Sequence, residues 1–266
     1  MRFDVDGKNA LVTGGSRGLG LVAAKALLEN GAAKVYISSR SASACEDAAK
    51  ELSSLRGISG RAVPVAGDFS NPDAIKKVLS TVAADCGGKL HIVIANAGAS
   101  WGQKLETHPA SAFDKVVDLN LRGVFLTIQA SVGMLQTAGT PEDPARVIVI
   151  GSVLGIMTAE NGGGSGTYGY IASKAAVHHL ARTLAVELGP RNITVNTIAP
   201  GFFPTKMTRG MLRGVGEHMA ESNPRQRLGE DEDLAGLVVY LCSRPAGYVN
   251  GTVITLDGGM HLVGKL

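Results

Sequence analysis

Residues Ala10 to Asn30 hold the pattern that most narrows the fold. Ala10-Leu11-Val12-Thr13 is a short apolar run closed by Gly14, which reads as a buried strand. Gly14-Gly-Ser-Arg-Gly-Leu-Gly20 follows and opens a helix to about Asn30, where Gly31 stops it as a glycine at C′ does. A glycine-rich turn alone can be no more than a tight loop. Between a strand and a long helix, it gathers backbone N–H groups and a helix N-terminus where a pyrophosphate could sit. The rest of the chain repeats the alternation. Strands are expected at Lys34–Ser38, Arg61–Ala66, Leu90–Ala95, Ala145–Gly151, Thr194–Ala199 and Val253–Leu256. Helices are expected over about 42–55, 72–86 (with Asn71 as N-cap and Pro72 at N1), 111–136, 170–188 and 231–243. Short joins between them predict an α/β fold: a Rossmann doubly wound parallel sheet of about seven strands, helices on both faces, residues 1–266 forming one domain. Residues 202–229, with Pro204, Met207, Met211, Leu212, Met219 and Pro224, read as a lid inserted after strand six; a surface helix pair would show the same pattern. Gly162-Gly-Gly-Ser-Gly166 reads as a flexible insert.

Composition excludes several alternatives. The balance of 45% apolar to 18% charged residues is that of a globular chain with a large core. A net charge of +3 with no Lys/Arg run longer than two argues against nucleic acid as a partner. Cys45, Cys86 and Cys242 are widely spaced, and no metal-ligand spacing links them to His91, His178 or His179, so free thiols in a reducing compartment are expected and no metal. The N-terminus has no apolar targeting core and no apolar run reaches the ~18 residues needed to span a bilayer, which predicts a soluble cytoplasmic protein.

The strand ends carry the chemistry. The second strand ends in Ser39-Arg40, where a dinucleotide fold commonly has a carboxylate to hold a ribose 2′-hydroxyl. A guanidinium there can pair bidentately with a 2′-phosphate, and Arg17 in the glycine turn could approach the same group, which favours NADP(H) over NAD(H). The fourth strand ends in Asn96-Ala97-Gly98, small enough for a ligand to approach the backbone. Asn120 falls in mid-helix, where Asn is a poor helix former; it is either simply exposed there or a carboxamide that perturbs the helix and holds a water. Ser152 ends the fifth strand and so shares the ligand-binding edge of the sheet with Gly14, Arg40, Asp68 and Asn96.

Tyr170 and Lys174 are four residues apart and therefore share a helix face. A free phenol, with a pKa near ~10, is a poor proton-transfer group at neutral pH. A cation ~4 Å away at an effective dielectric of ~20 contributes ~4 kcal/mol, about three pKa units, enough to bring it near pH 7. Tyr168 lacks that cation, because Ala172 lies four residues on.

Thr13-Gly14-x-x-x-Gly18-x-Gly20, Asn96-Ala-Gly98, Asn120, Ser152, Tyr170-x-x-x-Lys174 and Pro200-Gly201 together resemble the short-chain dehydrogenase/reductase family over nearly the whole chain. Ile150–Gly155, Ala199–Phe202 and Lys206–Thr208 are similar to the 3-oxoacyl-(acyl carrier protein) reductase branch. Asn96–Trp101 and Pro144–Val147 are similar to its rhamnolipid-type members. Two features depart from the family: Ala95 stands where it often has an Asn, and 18 positions separate Ser152 from Tyr170. The resemblance implies hydride transfer between a nicotinamide and a ketone carbon. Ser152 would donate to the carbonyl oxygen, Tyr170 would deliver the proton, Lys174 would tune Tyr170 and bind the nicotinamide ribose, and Asn120 would hold a water. It further implies that Gly14, Ser16, Arg17, Gly18, Leu19, Gly20, Ser39 and Arg40 line the cofactor's phosphates. Asp68 and Phe69 would flank adenine, Asn96, Ala97 and Gly98 the adjacent ribose, and Pro200, Gly201, Phe203 and Thr205 the nicotinamide. A homotetramer or homodimer is the family expectation. Two other readings are oxidation of a polyol or sugar acid, which Ser39-Arg40 disfavours, and a non-catalytic NADP(H)-binding module, which the intact Ser152, Tyr170 and Lys174 disfavour.

Overall fold

The computed structural model describes residues 3–158, 166–205, 208 and 216–263. Most of the Gly162–Gly166 insert, and the part of the lid with Lys206, Met207, Met211 and Leu212, lie outside them. Seven strands form one parallel sheet in the order β3-β2-β1-β4-β5-β6-β7. They are β1 (Asn9–Thr13), β2 (Lys34–Ser38), β3 (Arg61–Pro64), β4 (Ile92–Ala95), β5 (Ala145–Ile150), β6 (Ile193–Pro200) and β7 (Val253–Leu256). The helices are α1 (Gly18–Glu29), α2 (Ala42–Ser53), α3 (Pro72–Asp85), α4 (Ala110–Val117), α5 (Gly123–Ala138), α6 (Tyr168–Leu188) and α7 (Asp231–Cys242). The expected α/β architecture is therefore present, strand by strand.

The sheet is double-faced because successive strand residues point to opposite sides. From β1, Ala10 and Val12 enter a core with Ala23, Leu27, Leu52, Leu234 and Val238, so α1, α2 and α7 cover that face. Leu11 points the other way, into a core with Ile75, Val82, Ile128, Val177 and Ala181, so α3, α5 and α6 cover the second face. Both faces are covered, and the inner strands β1, β4 and β5 read as near-continuous apolar runs, as buried parallel strands do.

Local signals set the helix ends. Asn71 Oδ1 accepts from the N–H groups of Asp73 (2.9 Å) and Ala74 (3.1 Å), with Pro72 in the first turn of α3. Gly31 follows the last turn of α1 at φ 98°, a left-handed conformation that glycine takes without strain. The expected helix over 111–136 is two helices, α4 and α5, joined by a π turn at Asp118–Arg122. The order of strands reverses between β1 and β4, and a crevice outside the C-terminal ends of such a pair is where open α/β sheets take ligands.

Candidate active site

The two strands beside the reversal are tied at their ends. Thr13 Oγ1 accepts from the backbone N–H of Asn96 (3.0 Å) and Ala97 (2.9 Å). Asn96 Nδ2 returns to the carbonyls of Thr13 (2.9 Å) and Gly14 (3.1 Å), so both its amide protons brace the glycine turn and its Oδ1 is what remains for a ligand. No side chain fits where the turn packs against the first turn of α1: a Cβ on Gly20 would lie 2.3 Å from the Gly14 carbonyl oxygen. Arg17 precedes α1 in extended conformation, and no side chain caps the helix, leaving its first N–H groups for a ligand. Ser16 Oγ donates to Ser39 Oγ at 3.0 Å, which joins the turn to the end of β2, where Arg17 and Arg40 are both exposed. Burial works against ionisation of Asp68, but the N–H and hydroxyl of Ser70, with the nearby Arg40 guanidinium, hold its carboxyl below the usual range. An uncapped helix N-terminus, two guanidinium groups and two hydroxyls, with no carboxylate at the end of β2, fit a phosphorylated dinucleotide.

The other wall comes from β5, β6, the π turn and α6. Lys174 Nζ donates to the carbonyl of Ile150 at 2.7 Å and stands 5.6 Å from the centroid of the Tyr170 ring. The ammonium thus addresses the face of the ring, where a contact ~4 Å from the phenol oxygen was expected from spacing. Two pKa consequences follow. Burial pushes the Tyr170 phenol up, and its hydrogen bond with the Ser152 hydroxyl pulls in the other direction without overcoming burial. Burial pushes Lys174 down to about 8. The phenol in this geometry is a protonated acid, not the acidified phenol expected from the Tyr–Lys spacing.

Ser152 is buried, and its Oγ accepts from the Leu154 N–H at 3.2 Å, which leaves its own proton to donate. Asn120 is buried in the π turn, not exposed. Its Nδ2 donates to the Ala99 carbonyl (2.9 Å) and to Ser173 Oγ (3.1 Å), and its Oδ1 accepts from the Ala99 N–H (2.9 Å). Both amide protons are spent on protein, so the carboxamide splices the loop after β4 to α6; a water here would need other atoms as well. Gly98 completes the junction: a Cβ there would come 3.3 Å from Asn120 Oδ1 and 3.8 Å from Lys174 Nζ.

Placement of the remaining expected residues is mixed. The Gly201 N–H donates to the Leu256 carbonyl at 3.0 Å, fixing the chain where it leaves β6. Thr205 lies opposite Gly18, 3.7 Å from where a Cβ would sit. The rings of Phe69 and Phe203 are buried, one in each core, and do not stand free in the crevice. Gly14, Gly18, Leu19 and Gly20 form the turn and the start of α1 as expected. From the described part of residues 202–229, Met219 lines a cavity with Phe202, Phe203, Leu228 and Leu256 among polar side chains. His178, beneath Ser152, carried no sequence signal beyond its place two turns after Tyr170 on one helix face. Among the described residues no helix is long and apolar enough to cross a membrane, and no cluster of His, Cys, Asp or Glu could hold a metal ion.

A nucleotide crevice at the sheet's reversal and a Ser-Tyr-Lys group at one strand end define an oxidoreductase of C–OH and C=O groups. The chain belongs to the short-chain dehydrogenase/reductase family: a family model described as enoyl-(acyl carrier protein) reductase matches residues 14–261. It is 42% identical over 262 residues to the rhamnolipids biosynthesis 3-oxoacyl-[acyl-carrier-protein] reductase of Pseudomonas aeruginosa, covering 98% of both chains. It is 33% identical over 258 residues to the 3-oxoacyl-[acyl-carrier-protein] reductase FabG of Salmonella typhimurium, covering 97% of this chain and 99% of the relative. The solved Pseudomonas aeruginosa RhlG/NADP active-site complex superposes with a TM-score of 0.91 at 40% identity, covering 98% of this chain and 100% of that one.

Proposed function

We propose that this protein is an NADPH-dependent reductase that converts a ketone to a secondary alcohol, with 3-oxoacyl thioesters as its substrate class. The observation that carries the reading is the meeting of Ser152, Tyr170 and Lys174 where β5 ends, beside a turn that fits a phosphorylated dinucleotide. The relatives named above are 3-oxoacyl reductases, and one of them is solved with NADP. Gly14, Ser16, Arg17, Gly18, Leu19 and Gly20 would hold the pyrophosphate and Ser39 and Arg40 the 2′-phosphate. Asp68, Asn96, Ala97 and Gly98 would border the adenosine half, and Pro200, Gly201, Thr205, Tyr170 and Lys174 the nicotinamide half, with the buried Phe69 and Phe203 rings packed behind them. NADPH, when bound, would supply a hydride to the carbonyl carbon.

The chain's own groups manage the oxygen. Ser152, its Oγ already accepting from Leu154, donates to the carbonyl oxygen as negative charge builds there. Tyr170 gives the proton; its upward-shifted phenol is the form a reduction needs at neutral pH. Lys174, held by the Ile150 carbonyl, keeps a cation under the ring, and Asn120 fixes the loop and helix that carry both. Trp101 and Ile156, each about half exposed, follow Gly98 and Ser152 closely in the chain and offer apolar surface for an acyl chain.

Assembly into a homotetramer or homodimer belongs to this reading, and a monomer by light scattering would count against it. So does a place in the cytoplasm, supported by three free cysteines. The test is a panel of acetoacetyl thioesters, diketones, quinones and polyols, each with NADPH or NADP. Acetoacetyl thioesters should give the fastest NADPH oxidation, with NADH poorer. A preference for NADH, or turnover of polyols alone, contradicts the proposal.

A further inference from the structure

His178 has no part in the chemistry above, yet the site is built around it. It lies on α6 one turn beyond Lys174, on the face that carries Tyr170, and is 4% exposed. Its Nε2 accepts a hydrogen bond from the backbone N–H of Ser152 at 3.3 Å. Two glycines make room for the ring. A Cβ on Gly151 would lie 2.1 Å from Nε2, and one on Gly155 would lie 2.8 Å from Cε1. A side chain at Gly151 would push the imidazole off Ser152, and one at Gly155 would press on the α6 backbone at Lys174 and Ala175 as well as on the ring.

We propose that His178 is a positioning residue for the reduction: as a neutral acceptor it fixes Ser152 so that the hydroxyl reaches both Tyr170 and a carbonyl oxygen. Two residues of one helix face then grip one strand end, Lys174 through the Ile150 carbonyl and His178 through the Ser152 N–H, while the Ser152 hydroxyl draws the Tyr170 phenol down against burial. Because Nε2 accepts, the ring proton belongs on Nδ1. Burial, then the charges of Lys174 and Arg182, push the imidazole down to about 4 and keep it neutral where the enzyme works. These are the charged groups of its own helix; the residues of β5 and of the turn after it that pack on the ring, Gly151, Ser152 and Gly155, do not titrate. Without the acceptor, a buried N–H is orphaned and Ser152 shifts; a displacement of ~1 Å in a catalytic group can cost about 100-fold.

The inference rests on Ser152 being the donor to the carbonyl oxygen, so Ser152→Ala is the control. The experiment compares parent, His178→Phe, which keeps a ring but no acceptor, and His178→Gln, whose Oε1 can reach the place of Nε2. Steady-state kinetics and NADPH binding by fluorescence are measured for each. H178F should lose ~10- to 100-fold in kcat with KM and the NADPH Kd little changed. Its alkaline limb should also move to higher pH, because the Ser152 hydroxyl that draws the Tyr170 phenol down is displaced. H178Q should restore most of both. A merely structural residue would change the yield of folded protein but not the pH limb. If H178F does not fold, parent, H178Q and His178→Asn decide: Gln should hold kcat and the limb, and Asn, too short to reach Ser152, should lose them. Parent-like kcat and pH limb in H178F, or equal loss in H178Q and H178F (or in H178Q and H178N), overturns the inference. If S152A retains parent activity, the reading of Ser152 fails instead.

Discussion

At the residue scale, the site is a set of buried charges and donors held at a cost. Lys174 is 5% exposed, and burial has lowered its pKa from 10.5 to about 8. Between those values the folded protein binds fewer protons than the unfolded chain, so stability rises with pH across that window and the penalty is fully present below it. The penalty is about 3 kcal/mol, offset by ~1 kcal/mol from the hydrogen bond to Ile150. Lys174→Met should therefore unfold at higher urea at pH 7, by about 2 kcal/mol, with the gain shrinking above pH 8 and gone by about pH 9.5, where the remaining penalty equals the hydrogen bond's contribution, while activity is lost. A variant less stable than the parent at pH 7 would contradict this account of the lysine. Tyr170 and Lys174 were legible in the sequence because four residues on a helix fix a shared face. What spacing could not show is the direction of the Nζ. A carbonyl at the end of β5, far off in the chain, captures it, and that contact exists only once the sheet is assembled.

At the scale of elements, strand and helix positions were readable wherever local chemistry decides them. Asn71-Pro72 announces α3, Gly31 ends α1, and Lys34–Ser38 is bounded as expected. The break between α4 and α5 was only half visible. Asn120 marked a weak point, but the π turn also depends on Ala99 and Ser173, which reach it from other elements. The entry to α7 shows how the described segment before it is anchored. The Asp233 carboxylate takes a forked pair of hydrogen bonds from Arg227, at 2.6 and 2.8 Å, and a third from the Glu230 N–H at 2.8 Å. The Arg227 fork and the Glu230 N–H draw its pKa down to about 2, so this anchor is intact above the ordinary carboxylate range and fails only as pH falls toward 2. Asp233→Ala should cost ~1 kcal/mol and speed hydrogen exchange in residues 222–230 more than elsewhere. Uniform exchange rates in that variant would show that the pair does not restrain that segment.

At the scale of the whole molecule, the sheet order converts a linear set of motifs into one crevice. Gly14, Asn96 and Ser152 lie on β1, β4 and β5 ends that are neighbours in the sheet though 82 and 56 positions apart in the chain. Alternation of strands and helices foretold a parallel sheet, and the apolar strand runs foretold two covered faces, so which edge gathers the motifs was readable. The state of the phenol was not, because desolvation depends on everything packed over it. The central claim is that this partly buried phenol gives up the proton in a ketone reduction. Tyr170→Phe removes that proton and little else. Turnover of an acetoacetyl thioester should fall ~100- to 10,000-fold while the fluorescence-measured NADPH Kd stays within about twofold of the parent. Turnover at the parent rate in a Tyr170→Phe enzyme that still binds NADPH would contradict it.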